Sequence, residues 1–197
     1  MATVTWPIPG YPTVVLTEDR RQISVRPMEA KDEGALLAFF QRVPEEDLRY
    51  LKEDVVSPGV IHGWAEDLDY RRVIPLLALA GDRVIADATL HRRRQVARRH
   101  VGEVRVVVDP EFRNRGLGRN LLLKLVEVAG TLGLKKVLFE VVAEREEPAR
   151  KAAQLLGFAP VGVFPGHICD RDGSLHDLIV MEVNVSGLIA ADEWGFF

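Results

Sequence analysis

The 197-residue chain has one cysteine, Cys169, so no internal disulfide can form and no disulfide framework is expected. No Cys/His cluster has metal-ligand spacing, and no metal site is expected. No apolar run approaches bilayer length, which argues against a membrane partner. The start, Met1-Ala2-Thr3-Val4-Thr5-Trp6-Pro7, lacks the basic and apolar regions of a signal peptide, and cytoplasm is the expected compartment. Net charge is only −3, and no aromatics interleave the basic residues, so no nucleic-acid partner is expected. No Gly-Lys-Ser/Thr phosphate loop occurs, and no tyrosine follows Tyr70. What remains is an ordinary globular composition, 47% apolar and 28% charged, at a length that suits one domain. We read 1–20 as an N-terminal arm and the first strand of a hairpin. Residues 21–185 form the domain, and 186–197 a tail. The tail aromatics Trp194, Phe196 and Phe197 are expected to pack on the domain or at a homodimer contact.

The most informative stretch runs from Val104 to Arg119. A β-branched run ends at Asp109-Pro110, an Arg/Gly loop follows, and an apolar-periodic helix runs from Leu117 to about Leu132. Backbone N–H groups at a helix start converge on one spot and carry the positive end of the helix dipole. Gly116 and Gly118 allow a bulky anion close to the backbone, and Arg113, Arg115 and Arg119 add countercharge. A pyrophosphate is the natural ligand. A dinucleotide fingerprint needs a third small residue where Leu121 stands, although Glu140 lies about where a ribose-binding acid would sit.

The spacing Arg113-x-x-Gly116-x-Gly118, followed by a basic residue, resembles the pyrophosphate loop of the GNAT superfamily of acetyl-CoA-dependent N-acetyltransferases. The expected element order is β, α, α, β, β, β, α, β, α, β, β, and this too resembles that family. Leu155-Leu156-Gly157-Phe158 is similar to the Leu-Gly-Phe close of its last helix. Several stretches resemble the catalytic domain of bacterial Pat-type protein-lysine acetyltransferases. They are Tyr11-Pro12, Val25-Arg26-Pro27, Phe39-Phe40, Asp69-Tyr70-Arg71-Arg72, Arg171-Asp172-Gly173 and His176-Asp177. The resemblance implies an α+β GNAT fold, a mixed and mostly antiparallel sheet flanked by helices. It implies acetyl-CoA as co-substrate, with no metal. It places the donor on the main chain of Val106, Val107 and Val108 and on Arg113, Asn114, Arg115, Gly116, Leu117, Gly118 and Arg119.

Acetyl transfer to an amine needs a proton acceptor, because a lysine amine has a reference pKa of about 10.4. The resemblance implies Glu103 for this role, in a Glu-Val context at the start of the strand. Against it stands a plain strand-end glutamate, and Arg105 on the same face would lower its pKa. Asp87, His91 and Glu140 are the other candidates. Many family members place a tyrosine four residues before the Gly of Leu-Gly-Phe to protonate the thiolate; here that residue is Ala153. The expected acceptor is a protein lysine. The alternatives are a small amine held by an acidic pocket (from Asp67, Asp69 and Asp87) and a non-catalytic acyl-CoA sensor. The basic segment from His91 to His100 reads as a solvated hairpin or as a docking surface for an acidic protein face.

Overall fold

A computed structural model describes residues 8–48, 51–93, 95–170 and 172–186. The expectations placed on residues 1–7, Arg94, Arg171 and the aromatic tail lie outside these. Alternating strands β1 (Thr13–Leu16) and β2 (Gln22–Pro27) form the N-terminal hairpin. Three helices follow: α1 (Glu33–Phe40), α2 (Glu45–Leu48) and α3 (Pro58–Glu66). A 3-10 turn at Ala30–Asp32 leads into α1. There Asp32 accepts the Glu29 N–H at 2.8 Å and holds Arg26 at 2.6 and 2.8 Å.

The centre of the sheet is β3 (Val73–Ala80), β4 (Arg83–Arg92) and β5 (Val101–Val108). Then come α4 (Leu117–Thr131), β6 (Lys136–Val142), α5 (Glu147–Leu155), β7 (Ala159–Cys169) and β8 (Leu175–Asn184). The eight strands lie in the order β1-β2-β3-β4-β5-β6-β8-β7. All neighbours are antiparallel except β5 and β6. A single parallel pair among the described strands is not a doubly wound sheet, so a dinucleotide site has no scaffold here.

Strand alternation divides the core between the two faces of the sheet. Leu76, Ala78, Ala86, Ala88, Val104, Val137 and Phe139 pack with Leu121, Leu125 and Val126 of α4. Leu77 and Leu79 pack on the other face with Leu36, Phe39 and Phe40 of α1 and Ile61 of α3. Because β3 is covered on both sides, its sequence is a continuous apolar run rather than an alternating one. No described helix is long and apolar enough to cross a membrane.

The feature that positions the site is a gap. The β5–β6 register runs only from Val101↔Lys136 to Val104↔Phe139. Beyond it, β5 stays with β4 as far as Val108, and β6 stays with β8 as far as Val142. The two longer antiparallel ladders hold their own strands, and the shorter parallel ladder between them opens.

Candidate active site

The loop between β5 and α4 is built by Asp109, whose carboxylate accepts the Glu111 N–H at 3.1 Å and ion pairs with Arg42 and Arg83. Asn114 (φ 54°) and Gly116 (φ 76°) take left-handed conformations that asparagine and glycine tolerate best. Gly116 is the N-cap of α4 and makes no side-chain cap. The intrahelical ladder starts with Asn120 N–H on Gly116 O, so the N–H groups of residues 116–119 have no intrahelical acceptor. This is a ready anion cradle. Its countercharge is smaller than the sequence implied. Arg113 pairs with Asp47 of α2 at 2.8 Å, and Arg115 pairs with Asp19 of the β1–β2 turn. The side chain of Arg119 is exposed. The same turn braces the loop from behind: Glu18 N–H donates to Arg115 O at 2.9 Å, and Asn120 Nδ2 donates to Leu16 O at 2.7 Å.

Next to the loop lies the opened edge of β5. Asp109 N–H donates to Ile85 O on the β4 side at 2.9 Å. Alternation along the strand then turns the main chain of Val107 toward β4, and that of Val106 and Val108 toward the gap. Arg113 Nε already donates to Val108 O at 2.9 Å. The polar groups left for an extended ligand are those of Val106 and the N–H of Val108. Val107 instead contributes its side chain to the α1/α3 face.

On that face, Asp87, Thr89 and His91 of β4 stand opposite Val107, Arg105 and Glu103 of β5. Glu103 is nearly buried and ringed by cations. Lys52 Nζ is 2.8 Å from its carboxylate, Arg105 Nη2 3.0 Å and Arg93 Nη2 3.5 Å. Burial alone would raise its pKa. The hydrogen bonds and charges of Lys52 and Arg105 outweigh burial and hold the carboxyl at about 2. Asp87 behaves oppositely: burial pushes it up to about 7, and Arg105 offsets only part of that. His91 is held down at about 4, first by burial and then by Arg105, and its Nε2 lies 3.0 Å from Thr89 Oγ1. Glu140 of β6 meets Lys52 Nζ at 3.0 Å. Thus Glu103, Asp87, His91 and Glu140 all lie on one face by the seam.

Lys52 was not legible as a site residue. It sits in the connection between α2 and α3 with no motif around it, and only the tertiary fold brings it 51 positions along to Glu103. Asp67 and Asp69 are not part of the cluster; Asp69 caps the turn into β3 by accepting the Arg71 N–H at 2.9 Å. Ala153 is fully buried in the α4-side core. The described tyrosines do not replace the missing phenol: Tyr11 packs against the same core, and Tyr70 donates to Met28 O.

A cradle at a helix start, an open strand edge and a carboxylate on the adjoining face occur here together. The acetyltransferase (GNAT) family model matches residues 20–158. This chain belongs to the acetyltransferase (GNAT) family. Its described residues form that family's N-acetyltransferase fold. A Bacillus subtilis protein with a provisional phosphinothricin acetyltransferase name is 33% identical over 79 residues, covering 40% of this chain. The match spans about half (47%) of that curated relative. The ribosomal-protein-alanine N-acetyltransferase of Brucella melitensis is similar at a TM-score of 0.72 and 25% identity, covering 81% of this chain and 98% of its own. The GNAT domain of S. lividans PAT is similar at 0.73 and 21% identity, covering 87% and 96%. At that identity the likeness to PAT carries the fold and not the substrate.

Proposed function

We propose that the protein transfers an acetyl group from acetyl-CoA to a primary amine, with a protein lysine flanked by acidic residues as the acceptor. The pyrophosphate would lie on the N–H groups of residues 116–119 and the pantetheine arm along Val106 and Val108. The carrying observation is the pairing of the 116–119 cradle with the β5–β6 gap, since a long extended thioester needs both. When bound, acetyl-CoA supplies the activated acyl group. Glu103 serves as proton acceptor once an incoming ammonium displaces part of its cation ring. Asp87 is the second reading for that role, favoured by a pKa near the working pH. With Ala153 in the family's tyrosine position, the thiolate, whose reference pKa is about 8.5, leaves without a side-chain acid.

Lys52, Arg93 and Arg105, together with the basic β4–β5 hairpin, count against a polycationic acceptor and favour one bearing acids. The Pat-type reading of the sequence agrees with this. The names of the similar proteins point to different acceptors and do not decide it. A small-amine acceptor is favoured by one feature: a recess of about 340 Å³ lined by Glu45, Glu53 and Asp54 with Leu48 and Val55. We propose a homodimer through the outer strand β7, which leaves Val161, Val163 and Phe164 exposed; sedimentation tests it. The function is tested by free-thiol release from acetyl-CoA with three acceptors: an acid-flanked lysine peptide, phosphinothricin and spermidine. Turnover should be fastest with the peptide. Turnover with spermidine alone would overturn the acceptor assignment.

A further inference from the structure

Beyond its place in the cation ring of Glu103, Lys52 has no step in the proposed transfer, yet its amine lies at the mouth of the gap. Lys52 Nζ lies 2.8 Å from Glu103 Oε1 and 3.0 Å from Glu140 Oε2. These two carboxylates stand on β5 and β6 at either side of the seam, next to its last paired residues, Val104 and Phe139. One residue further on, the strands part. A primary amine of the chain itself therefore sits beside the proposed proton acceptor, at the mouth of the gap assigned to the thioester. Its stem comes from the irregular connection between α2 and α3, and the side chain is 48% exposed. Turning from the carboxylates toward the gap would rotate side-chain bonds of a residue that lies in no helix or strand.

We infer that Lys52 is itself an acyl acceptor, acetylated in cis by the acetyl-CoA that the chain binds. The inference rests on the acetyltransferase reading above. The Lys52 ammonium gives one proton to the Glu103 carboxylate, which passes it to water. The freed lone pair attacks the thioester carbonyl. A C–N bond forms, the C–S bond breaks, and the electron pair leaves on the CoA sulfur. Of the two protons that nitrogen loses, one ends on sulfur as the free thiol and the other in solvent. No further reactant is needed. The products are Nε-acetyl-Lys52 and CoA. The amide carries no charge, so it can no longer bridge Glu103 and Glu140. Glu103 is left with Arg105 and Arg93, and the seam is open to an external amine. Acetylation of Lys52 thus converts the site from self-modification to work on another molecule.

The test is incubation of the full chain with trideuteroacetyl-CoA, followed by peptide mass spectrometry at successive times. Lys31 and Lys151 are internal controls, because their side chains are more exposed, at 70% and 67%. Uncatalysed acetylation would label them at least as fast as Lys52. Positioning beside the donor should instead put the label on Lys52 first, ~10-fold faster or more. The rate per molecule should not change with protein concentration. Lys52→Arg should lose this fast phase and keep the thermal shift produced by acetyl-CoA. Suppose the protein binds acetyl-CoA and acetylates an added amine, but Lys52 labels no faster than Lys31 and Lys151. The inference is then wrong and the acetyltransferase reading stands. A rate that rises with protein concentration also overturns it, since the reaction would then be between molecules. With neither thermal shift nor turnover on any amine, both readings fall together.

Discussion

Replacing Asp87 by asparagine isolates a strongly perturbed buried carboxyl. Asp87 is almost wholly buried on β4, and burial moves it from the ordinary 3.8 to about 7. Below pH 3.8 the carboxyl is neutral in both folded and unfolded chains, and ionisation costs nothing. As pH rises from 3.8 toward 7, the unfolded chain releases the proton while the folded one keeps it. Stability therefore falls through this window and levels off above it. At about 1.4 kcal/mol per pH unit, the full loss is on the order of 4 kcal/mol. Asparagine has nearly the same shape and cannot ionise. The variant's unfolding free energy, minus the wild type's, should therefore grow by up to ~4 kcal/mol between pH 4 and pH 7.5. Any fixed cost of packing the amide appears at pH 4 and cancels. Urea unfolding at a series of pH values reads the difference directly. A difference independent of pH would refute the buried, proton-retaining Asp87. The same variant separates the two candidate bases: loss of turnover with a vanished rate limb near pH 7 would move the role from Glu103 to Asp87.

Glu103→Gln should slow transfer by roughly 10²–10⁴, with part of the rate returning at high pH, where more acceptor amine is neutral; a wild-type rate at pH 7 would remove Glu103 from the mechanism. Gly116→Val should abolish acetyl-CoA binding, read by calorimetry on protein whose far-ultraviolet spectrum is unchanged. A Cβ there needs φ +76° and meets Glu18 Oε1 at 3.1 Å. Ala153→Tyr should give no gain in turnover and destabilise by about 1–3 kcal/mol, because residue 153 has no exposed surface and is enclosed by core. Asp32→Asn should cost about 1–3 kcal/mol by replacing the charged, bidentate acceptor of Arg26 with a neutral amide, while Arg26 keeps its contact with Glu29. Burial acts to raise the Asp32 carboxyl, but Arg26 and the Glu29 N–H hold it below its usual range. Its contribution is thus present above about pH 4 and lost as pH falls through the lowered value, which acid titration of stability would show.

The strand, loop and helix from Val101 to Thr131 were legible because their signals are local. The β-branched run, the glycines at 116 and 118, and the α4 periodicity each act within a few residues. The element order from β3 onward was legible for the same reason; before it the described residues hold a two-strand hairpin and three helices where the expected order had one strand and two helices. Side chains shape what periodicity does not show: Asp32 builds the 3-10 turn that precedes α1. The gap between β5 and β6 was invisible, because it comes from competition between ladders over long separations. So was the turning of the Val106 and Val108 main chain, rather than that of Val107, toward the gap, which depends on register with β4. The pairing of Arg113 with Asp47 and of Arg115 with Asp19 also joins distant segments, so the loop looked more positive in sequence than it is. Lys52 was missed because a lone lysine in an irregular connection looks like any solvated one. Arg105 was different: its position two residues beyond Glu103 signalled the depressed carboxyl directly.

In the proposed complex, acetyl-CoA lies on the start of α4 and along the opened edge of β5. Amide hydrogen exchange with and without saturating acetyl-CoA tests it most directly. A ligand at about 100 times its dissociation constant stabilises the native state by ~2.7 kcal/mol. Protection should therefore concentrate at residues 106, 108 and 116–119, with NAD giving none. Binding with protection confined to other segments, or no response to acetyl-CoA, would contradict the account.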